Sequence, residues 1–204
     1  IYGLVSYVMA VKGNRVDLYF SADKTPVIVF GCVFVSSAVL LRAFMINDFS
    51  LQYVWAYSNI ELETFYKISS FWGGQKGSLL FWTLLLTAYT TIAYYQNKKK
   101  RLEVFPYAMC VCLSITIFFL LLLNFSTNPF ERLPLPPEDG RGLNPLLQNY
   151  WMVIHPPTLY LGYVGFTIPF AFAMAALITK NLDDSWIRLT RKWTLVSWFF
   201  LCMG

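Results

Sequence analysis

Charge is scarce in this chain, and its scarcity argues against a soluble domain. Charged residues make up 13% of the 204 residues, whereas soluble domains carry about 25%. Hydrophobic residues reach 57%. This is the composition of a membrane protein.

Histidine is also rare, and the sequence lacks the common catalytic motifs. His155 is the only histidine, so the chain cannot supply a second one to a zinc site. The four cysteines, at positions 32, 110, 112 and 202, form no C-x-x-C pair. We interpret them as small buried apolar residues. With no P-loop and no G-x-S-x-G motif, hydrolase and NTPase activities have no support.

Long uncharged runs are what the chain does contain. The runs 77–97, 104–125 and 158–179 each hold 21 or 22 residues without a charge, and a helix crosses a bilayer core in roughly 20 residues. A shorter run, 26–41, reaches spanning length if Arg42 snorkels to the headgroups. We therefore predict an all-α integral membrane protein, a polytopic helix bundle in one membrane domain over residues 1–204. The predicted complete transmembrane helices are 26–46, 77–97, 104–125 and 157–179, and the predicted partial ones are 1–11 and 193–204. Because the chain begins at Ile1 without a basic segment, we expect no signal peptide and a longer parent protein.

Lysine and arginine are concentrated in every second connection between the predicted helices. Connections 12–25, 96–103 and 180–192 carry 11 of them in 35 residues, whereas 47–77 and 126–157 carry 4 in 63. The positive-inside rule places the first group, with the tract NKKKR at 97–101, on the cytoplasmic side. The net charge of +5 is thus explained by membrane topology, and we predict no nucleic-acid partner.

The outward loops, 47–76 and 126–156, are long and aromatic, so we expect ordered segments with interfacial helices. In the first loop, Trp72 precedes Gly73 and Gly74, a pair that breaks a helix and lets another group approach the backbone. An ordinary interfacial aromatic belt is the alternative for Trp72. Ser78 is the predicted N-cap of the following span.

Arg141 lies between two glycines in the second outward loop. A Gly-Arg-Gly turn can present its guanidinium to a carboxylate or a phosphate. It can equally be a plain tight turn with a solvated arginine. The sequence leaves both interpretations open.

His155 stands directly before Pro156 and Pro157. Proline restricts the preceding residue to extended backbone, so we predict that His155 lies outside the helix and that a proline opens it. A neutral imidazole there suits an axial ligand to haem iron. Nearby aromatic side chains that could line an apolar ring are Tyr150, Trp151, Tyr160 and Tyr163. The alternative is a structural histidine hydrogen-bonded at the interface.

Three segments resemble a known family. They are YKISSFWGGQKGSLLFW (66–82), NPFERL (128–133) and DGRGLNPLLQNYWMVIHPPTLYLGYVGF (139–166), and they look like the CcmF-type haem lyase subunits of cytochrome c maturation, whose relatives include NrfE and CcsA. The resemblance runs from about residue 1 to 204 and suggests the N-terminal portion of such a protein. It implies a multi-pass protein of the bacterial inner membrane, or of the mitochondrial inner membrane if the gene is split. Its periplasmic or intermembrane-space face would hold haem.

The resemblance also implies partners and site residues. A b-type haem would be the substrate or intermediate, received from the haem chaperone CcmE and attached to apocytochrome c, with a CcmH-type thiol component as a further partner. His155 corresponds to an external ligand of the haem iron, and no catalytic residue is assigned. We extend the site to Arg141 as a contact for a haem propionate. A haem-facing surface is further expected at Trp72, Gly73, Gly74, Trp151 and Tyr160.

The chain departs from the family pattern in several places. Lys76 stands where members often have an acidic residue, and the WWD segment, the second external histidine and the haem b histidines are absent. We therefore expect this stretch alone to be inactive as a thioether-forming lyase. The alternatives are a non-catalytic membrane scaffold, a haem-delivery component, or a transporter, for which Pro169 and the Gly-Gly break offer slim support.

Overall fold

Helices form almost all of the regular structure. The computed structural model describes residues 1–13, 15–98, 103–181 and 183–204. Within these ranges the helices are α1 (Tyr2–Gly13), α2 (Val16–Ala22), α3 (Thr25–Met45), α4 (Gln52–Tyr57), α5 (Thr64–Ser70), α6 (Gln75–Asn97), α7 (Phe105–Phe125), a 3-10 turn (Pro145–Leu147), α8 (Tyr150–Gly165), α9 (Thr167–Thr179) and α10 (Ser185–Met203). The only β pairing in the described ranges is an isolated bridge between Leu51 and Arg132. The predicted all-α architecture is confirmed.

Four helical stretches are long and apolar enough to cross a membrane. They are Asp17–Met45, Gln75–Asn97, Phe105–Phe125 and Tyr150–Thr179, and they correspond to the four complete spans predicted from the uncharged runs. A helix satisfies its own backbone hydrogen bonds, which is the condition for crossing lipid. The molecule is a polytopic helical membrane protein. Residues 99–101 of the basic tract lie outside the described residues.

Buried side chains gather in two clusters, one toward each end of the bundle. On the side of the basic connections, α1, α7 and α9 pack around Tyr7, Phe105 and Phe172. At the end that carries loops 47–76 and 126–156, which are predicted to face outward, α3, α4 and α6 pack around Phe44, Val54 and Leu80. Because α4 belongs to the first outward loop, that loop is part of the packed core.

The two outward loops are hydrogen-bonded to each other. The backbone N–H of Gln52 donates to the Glu131 carbonyl oxygen at 2.9 Å, and that of Leu133 donates to Ser50 at 2.9 Å. The Lys76 ammonium lies 2.6 Å from a carboxylate oxygen of Glu131. These contacts join residues that are between 55 (Lys76 and Glu131) and 83 (Ser50 and Leu133) positions apart in sequence, so the loops form one layer.

Two sequence predictions fail in detail. Helix α6 begins at Gln75 after an extended Gly74, one turn before Ser78, whose hydroxyl instead donates to the Trp72 carbonyl oxygen at 2.8 Å. The prediction of Ser78 as N-cap is therefore wrong. Cys32 and Cys202 are exposed rather than buried, because they lie on outer faces of α3 and α10.

The fourth span is divided by a break between α8 and α9. The two helices meet at Phe166, three residues before Pro169. A proline cannot donate to the carbonyl four residues earlier and its ring crowds that group, which here belongs to Gly165. The break therefore follows from Pro169.

Candidate functional site

His155 lies inside helix α8, so the prediction that it precedes the helix is wrong. The helix begins at Tyr150, and the side chain of Asn149 caps it by accepting the Trp151 N–H at 3.0 Å. Proline disfavours helical backbone in the residue before it. Here the cap and packing of α8 along α10 establish the helix first, and Pro156 and Pro157 continue it.

The prolines change the hydrogen bonding of this first part of α8. Pro156 and Pro157 carry no N–H, so the carbonyl oxygens of Met152 and Val153 receive no bond from the residues four positions later. Regular bonding resumes beyond them, where the Thr158 hydroxyl also donates to the Ile154 carbonyl at 2.8 Å. The helix around His155 is thus held by its cap and by packing.

The imidazole of His155 is exposed and lies close to a backbone oxygen. Its Nδ1 lies 2.5 Å from the backbone oxygen of Gly204, the last residue of the sequence, which directly follows α10. A carbonyl oxygen can only accept, so Nδ1 carries the proton. In the neutral ring Nε2 then keeps its lone pair. Metal-binding histidines typically donate their other N–H to a carbonyl or carboxylate in this way.

The face of α8 that bears His155 also bears Trp151, four residues earlier. The Trp151 side chain is 72% exposed. Tyr150 stacks on Phe65 of α5, with centroids 6.5 Å apart, which ties the start of α8 to the first outward loop. An exposed imidazole and an exposed indole therefore share one helix surface at the outer end of the bundle.

Tyr160 and Trp72 belong to a different surface. Tyr160 is five residues beyond His155, which places it about 140° away around the helix. It meets Phe81 edge-on at 5.7 Å and Trp82 at 5.5 Å, and Trp72 packs on the same Phe81 at 5.7 Å. The structure brings Trp72 and Tyr160 into one cluster, apart from the face of His155.

The glycine pair is approached by the protein's own tyrosines. A Cβ on Gly74 would overlap the ring of Tyr57, and a Cβ on Gly73 would lie 3.2 Å from Leu143. The Gly74 N–H donates to the Tyr53 hydroxyl at 3.0 Å. The sequence correctly indicated a close approach to this backbone, and in the structure α4 and the second outward loop make it.

Arg141 is held against the first outward loop. Its backbone N–H donates to the Trp55 carbonyl at 2.8 Å, and its guanidinium carbon lies 4.1 Å from the centroid of the Trp55 ring. Gly142 adopts φ +83°, which favours glycine. The ion pairs found in the described part of the chain do not include Arg141. Arg141 is exposed, and its guanidinium is stacked on an aromatic ring.

Sequence reasoning missed Tyr53, which organises the backbone around the glycine pair. Its buried hydroxyl lies 3.1 to 3.3 Å from the carbonyl oxygens of Ser70, Phe71 and Gly74. Burial is the largest cause that raises the pKa of the Tyr53 hydroxyl, so the hydroxyl keeps its proton and can donate. A tyrosine at helical spacing gives no signal of this role in the sequence.

Metal coordination by the protein alone is not supported at this site. Across residues 1–13, 15–98, 103–181 and 183–204, no group of three or more His, Cys, Asp or Glu side chains could hold a metal ion. An iron at His155 would need its equatorial ligands from a porphyrin. The exposed imidazole fits that requirement, because a flat macrocycle can reach Nε2 from outside the bundle.

Comparison with known proteins identifies the relatives. The chain is 42% identical over 167 residues to the cytochrome c-type biogenesis protein CcmF of Escherichia coli, covering 81% of this chain and 26% of the relative. It is 44% identical over 176 residues to CcmF of Pseudomonas aeruginosa, with 86% and 26% covered. The NrfE protein of Haemophilus influenzae is 39% identical over 170 residues, with 83% and 27% covered.

A solved structure shows the same arrangement of helices. The cytochrome c haem lyase CcmF superposes with a TM-score of 0.81 at 29% identity, over 98% of this chain and 31% of that one. The chain thus spans about a quarter to a third of the length of these relatives. Residues 72–204 match the model of the family described as "Cytochrome C assembly protein". More than half of the chain is included in that match, and the chain belongs to the cytochrome c assembly protein family.

Proposed function

We propose that this chain forms the part of a cytochrome c maturation protein that holds haem at the outer face of the membrane, with His155 as one axial ligand. The observation that carries the proposal is the bond from Nδ1 of His155 to the Gly204 carbonyl oxygen. That bond fixes the ring and directs the lone pair of Nε2 away from it. Haem is the substrate, and apocytochrome c is the acceptor.

Two further residues have side chains suited to contact the same ligand. Trp151 offers an exposed aromatic face beside His155, suited to contact with a porphyrin plane. Arg141, stacked on Trp55, offers the planar donors that match a propionate carboxylate. We assign Trp72 and Tyr160, through their shared contact with Phe81, to supporting α8 from its other side.

Positioning is the contribution that these residues can make to thioether formation. The cysteine thiols come from the acceptor protein, and the vinyl groups come from haem. Holding two reacting groups in a fixed geometry accounts for a large share of many rate enhancements. We propose that the full protein resides in a bacterial inner membrane, receives haem from a CcmE-type chaperone and works beside a CcmH-type thiol component.

The test compares two replacements of His155 in the full-length protein. In His155→Asn, an amide N–H takes the place of Nδ1 and can still donate to the Gly204 carbonyl, but nothing replaces Nε2. In His155→Ala both functions are lost. We expect both variants to lose the externally held haem and the covalent cytochrome c product to the same extent. Added imidazole should restore part of the haem absorption in His155→Ala.

A structural histidine gives the opposite pattern. In that case His155→Asn would keep the haem spectrum and the cytochrome c yield, and only His155→Ala would lower them. Equal protein levels of both variants in the membrane are the control for folding. Retention of haem by His155→Asn would contradict the ligand role.

A non-catalytic scaffold is the second candidate function. The observation in its favour is the fixed outer layer, in which Lys76 pairs with Glu131 and Arg141 stacks on Trp55. Such a layer could dock maturation partners without touching haem. Under this alternative, co-purification of a CcmH-type partner would fall when Lys76 and Glu131 are both replaced, while the haem spectrum stayed unchanged.

A further inference from the structure

A groove of about 580 Å³ lies between α6 and α10 on the side of the basic connections. This is the opposite end of the bundle from His155. Its walls include Ile92 of α6 and Val196 of α10, and two basic residues of α10, Arg188 and Lys192, also line it. The haem-handling proposal makes no use of this groove.

The groove is polar at the end near the basic connections, here called its mouth, and apolar toward the middle of the bundle. Helix α6 runs toward the basic side and α10 runs away from it, so Gln96 and Arg188 lie near the mouth. Ile92 and Val196, which are 44% and 50% exposed, lie nearer the middle of the bundle. The rings of Tyr89 and Trp193 meet edge-on at 5.3 Å, and the indole N–H of Trp193 donates to the Gln96 side chain at 3.1 Å. The aromatic wall is therefore fixed in place.

The two basic side chains are available to an anion. Arg188 pairs with Asp184 at 2.9 Å, but the two side chains are 73% and 67% exposed. An exposed ion pair of this kind contributes little to stability. Lys192 is also exposed and is absent from the ion pairs of the described residues. The two residues are one helical turn apart and face the same groove.

We propose that this groove binds an anionic glycerophospholipid of the inner leaflet. The phosphate lies between Arg188 and Lys192, and an acyl chain follows the wall formed by Ile92, Val196 and the Tyr89–Trp193 pair. Basic pockets between transmembrane helices on the cytoplasmic side are a recognised setting for anionic headgroups. An occupant that is negative at one end and apolar along its length matches both parts of the groove, whereas free phosphate would use only the mouth.

The test measures lipid retention by native mass spectrometry on the purified full-length protein. Delipidated protein is titrated with phosphatidylglycerol, with phosphatidylcholine of the same chains, and with soluble glycerol phosphate. We expect phosphatidylglycerol alone to bind measurably. Arg188→Gln with Lys192→Gln should weaken that binding by about 30-fold, or roughly fivefold for each charge.

Arg191→Gln is the matched control, because Arg191 lies on the same helix and is exposed but does not line the groove. This variant should bind phosphatidylglycerol like the parent protein. An equal loss in Arg191→Gln would show diffuse charge attraction and overturn the proposal. Unchanged binding in the double variant would overturn it as well.

A photo-crosslinker at Ile92 provides the second measurement. We expect a phospholipid adduct whose yield falls in the Arg188 and Lys192 double variant. A crosslink to another part of the protein, or to a partner subunit, would show that the groove is filled by polypeptide and would refute lipid binding.

Discussion

Replacing Tyr53 with phenylalanine tests whether one buried hydroxyl holds the Trp72–Gly74 backbone. The Tyr53 side chain is 3% exposed and lies beside the point where α5 ends and α6 begins. Its hydroxyl accepts the Gly74 N–H at 3.0 Å and donates to a set of carbonyl oxygens at 3.1 to 3.3 Å. The substitution removes only the oxygen and keeps the ring in the core.

The expected loss follows from the number of hydrogen bonds that can exist at once. A single hydroxyl proton is shared among the carbonyl groups, so the hydroxyl makes about two hydrogen bonds in total, one donated and one accepted. Each contributes about 0.5–1.5 kcal/mol net, and the Gly74 N–H is left without its partner. We expect Tyr53→Phe to cost about 2 kcal/mol, which corresponds to roughly 30-fold more frequent opening of this segment.

Hydrogen exchange followed by mass spectrometry, on peptides that cover residues 70–78, measures that opening directly. Tyr57→Phe is the matched control, because Tyr57 lies on the same helix with its ring centroid 4.8 Å from that of Tyr53, but its hydroxyl makes none of the side-chain hydrogen bonds found among the described residues. We expect faster exchange at Gly74 in Tyr53→Phe alone. Unchanged exchange there, or the same increase in both variants, would refute the assignment.

Two further predictions concern the outer surface and the α8–α10 contact. Arg141→Gln should lower haem retention in the full-length protein, measured as the haem absorption of the purified protein. Arg132 is an exposed arginine of the same loop, and Arg132→Gln should leave haem retention unchanged. Equal retention in the two variants would remove Arg141 from the site. Gly165→Ala should destabilise the protein by about 1–3 kcal/mol, because the new Cβ would overlap the hydroxyl of Ser197. Adding Ser197→Ala to Gly165→Ala removes that oxygen and should restore part of the lost thermal stability, measured by thermal unfolding in detergent. If the second substitution restores no stability, the overlap with Ser197 is not the cause of the loss.

The helical spans could be predicted because their causes are local. A run such as 104–125 is uncharged over the thickness of a bilayer, and a backbone in lipid must form its hydrogen bonds within the segment. Composition over about 20 residues therefore determines the element, and α7 over Phe105–Phe125 agrees with it. The numbers of lysines and arginines in the connections are likewise counted from the sequence alone. They predicted, without any structure, which connections face each side of the membrane.

Single-residue rules failed where other contacts, several of them between distant segments, decided the outcome. The rule that proline excludes helix from the residue before it placed His155 outside α8. The cap at Asn149 and the packing of α8 on α10 outweighed that preference. Similarly, Ser78 has the right chemistry for an N-cap, but the extended Gly74, bonded to Tyr53, starts the helix a turn earlier.

The sequence by itself determined that this is a polytopic helical membrane protein, and it predicted two long loops that face outward with the single histidine beside them. Only the tertiary structure decided what surrounds that histidine. The Gly204 oxygen that accepts its Nδ1 proton, the contact of Tyr160 with Phe81 of α6 and the pairing of Lys76 with Glu131 each join residues from different segments of the chain. Such contacts depend on how the helices pack against each other. Packing depends on the shapes of side chains throughout the molecule, and no short stretch of sequence specifies it.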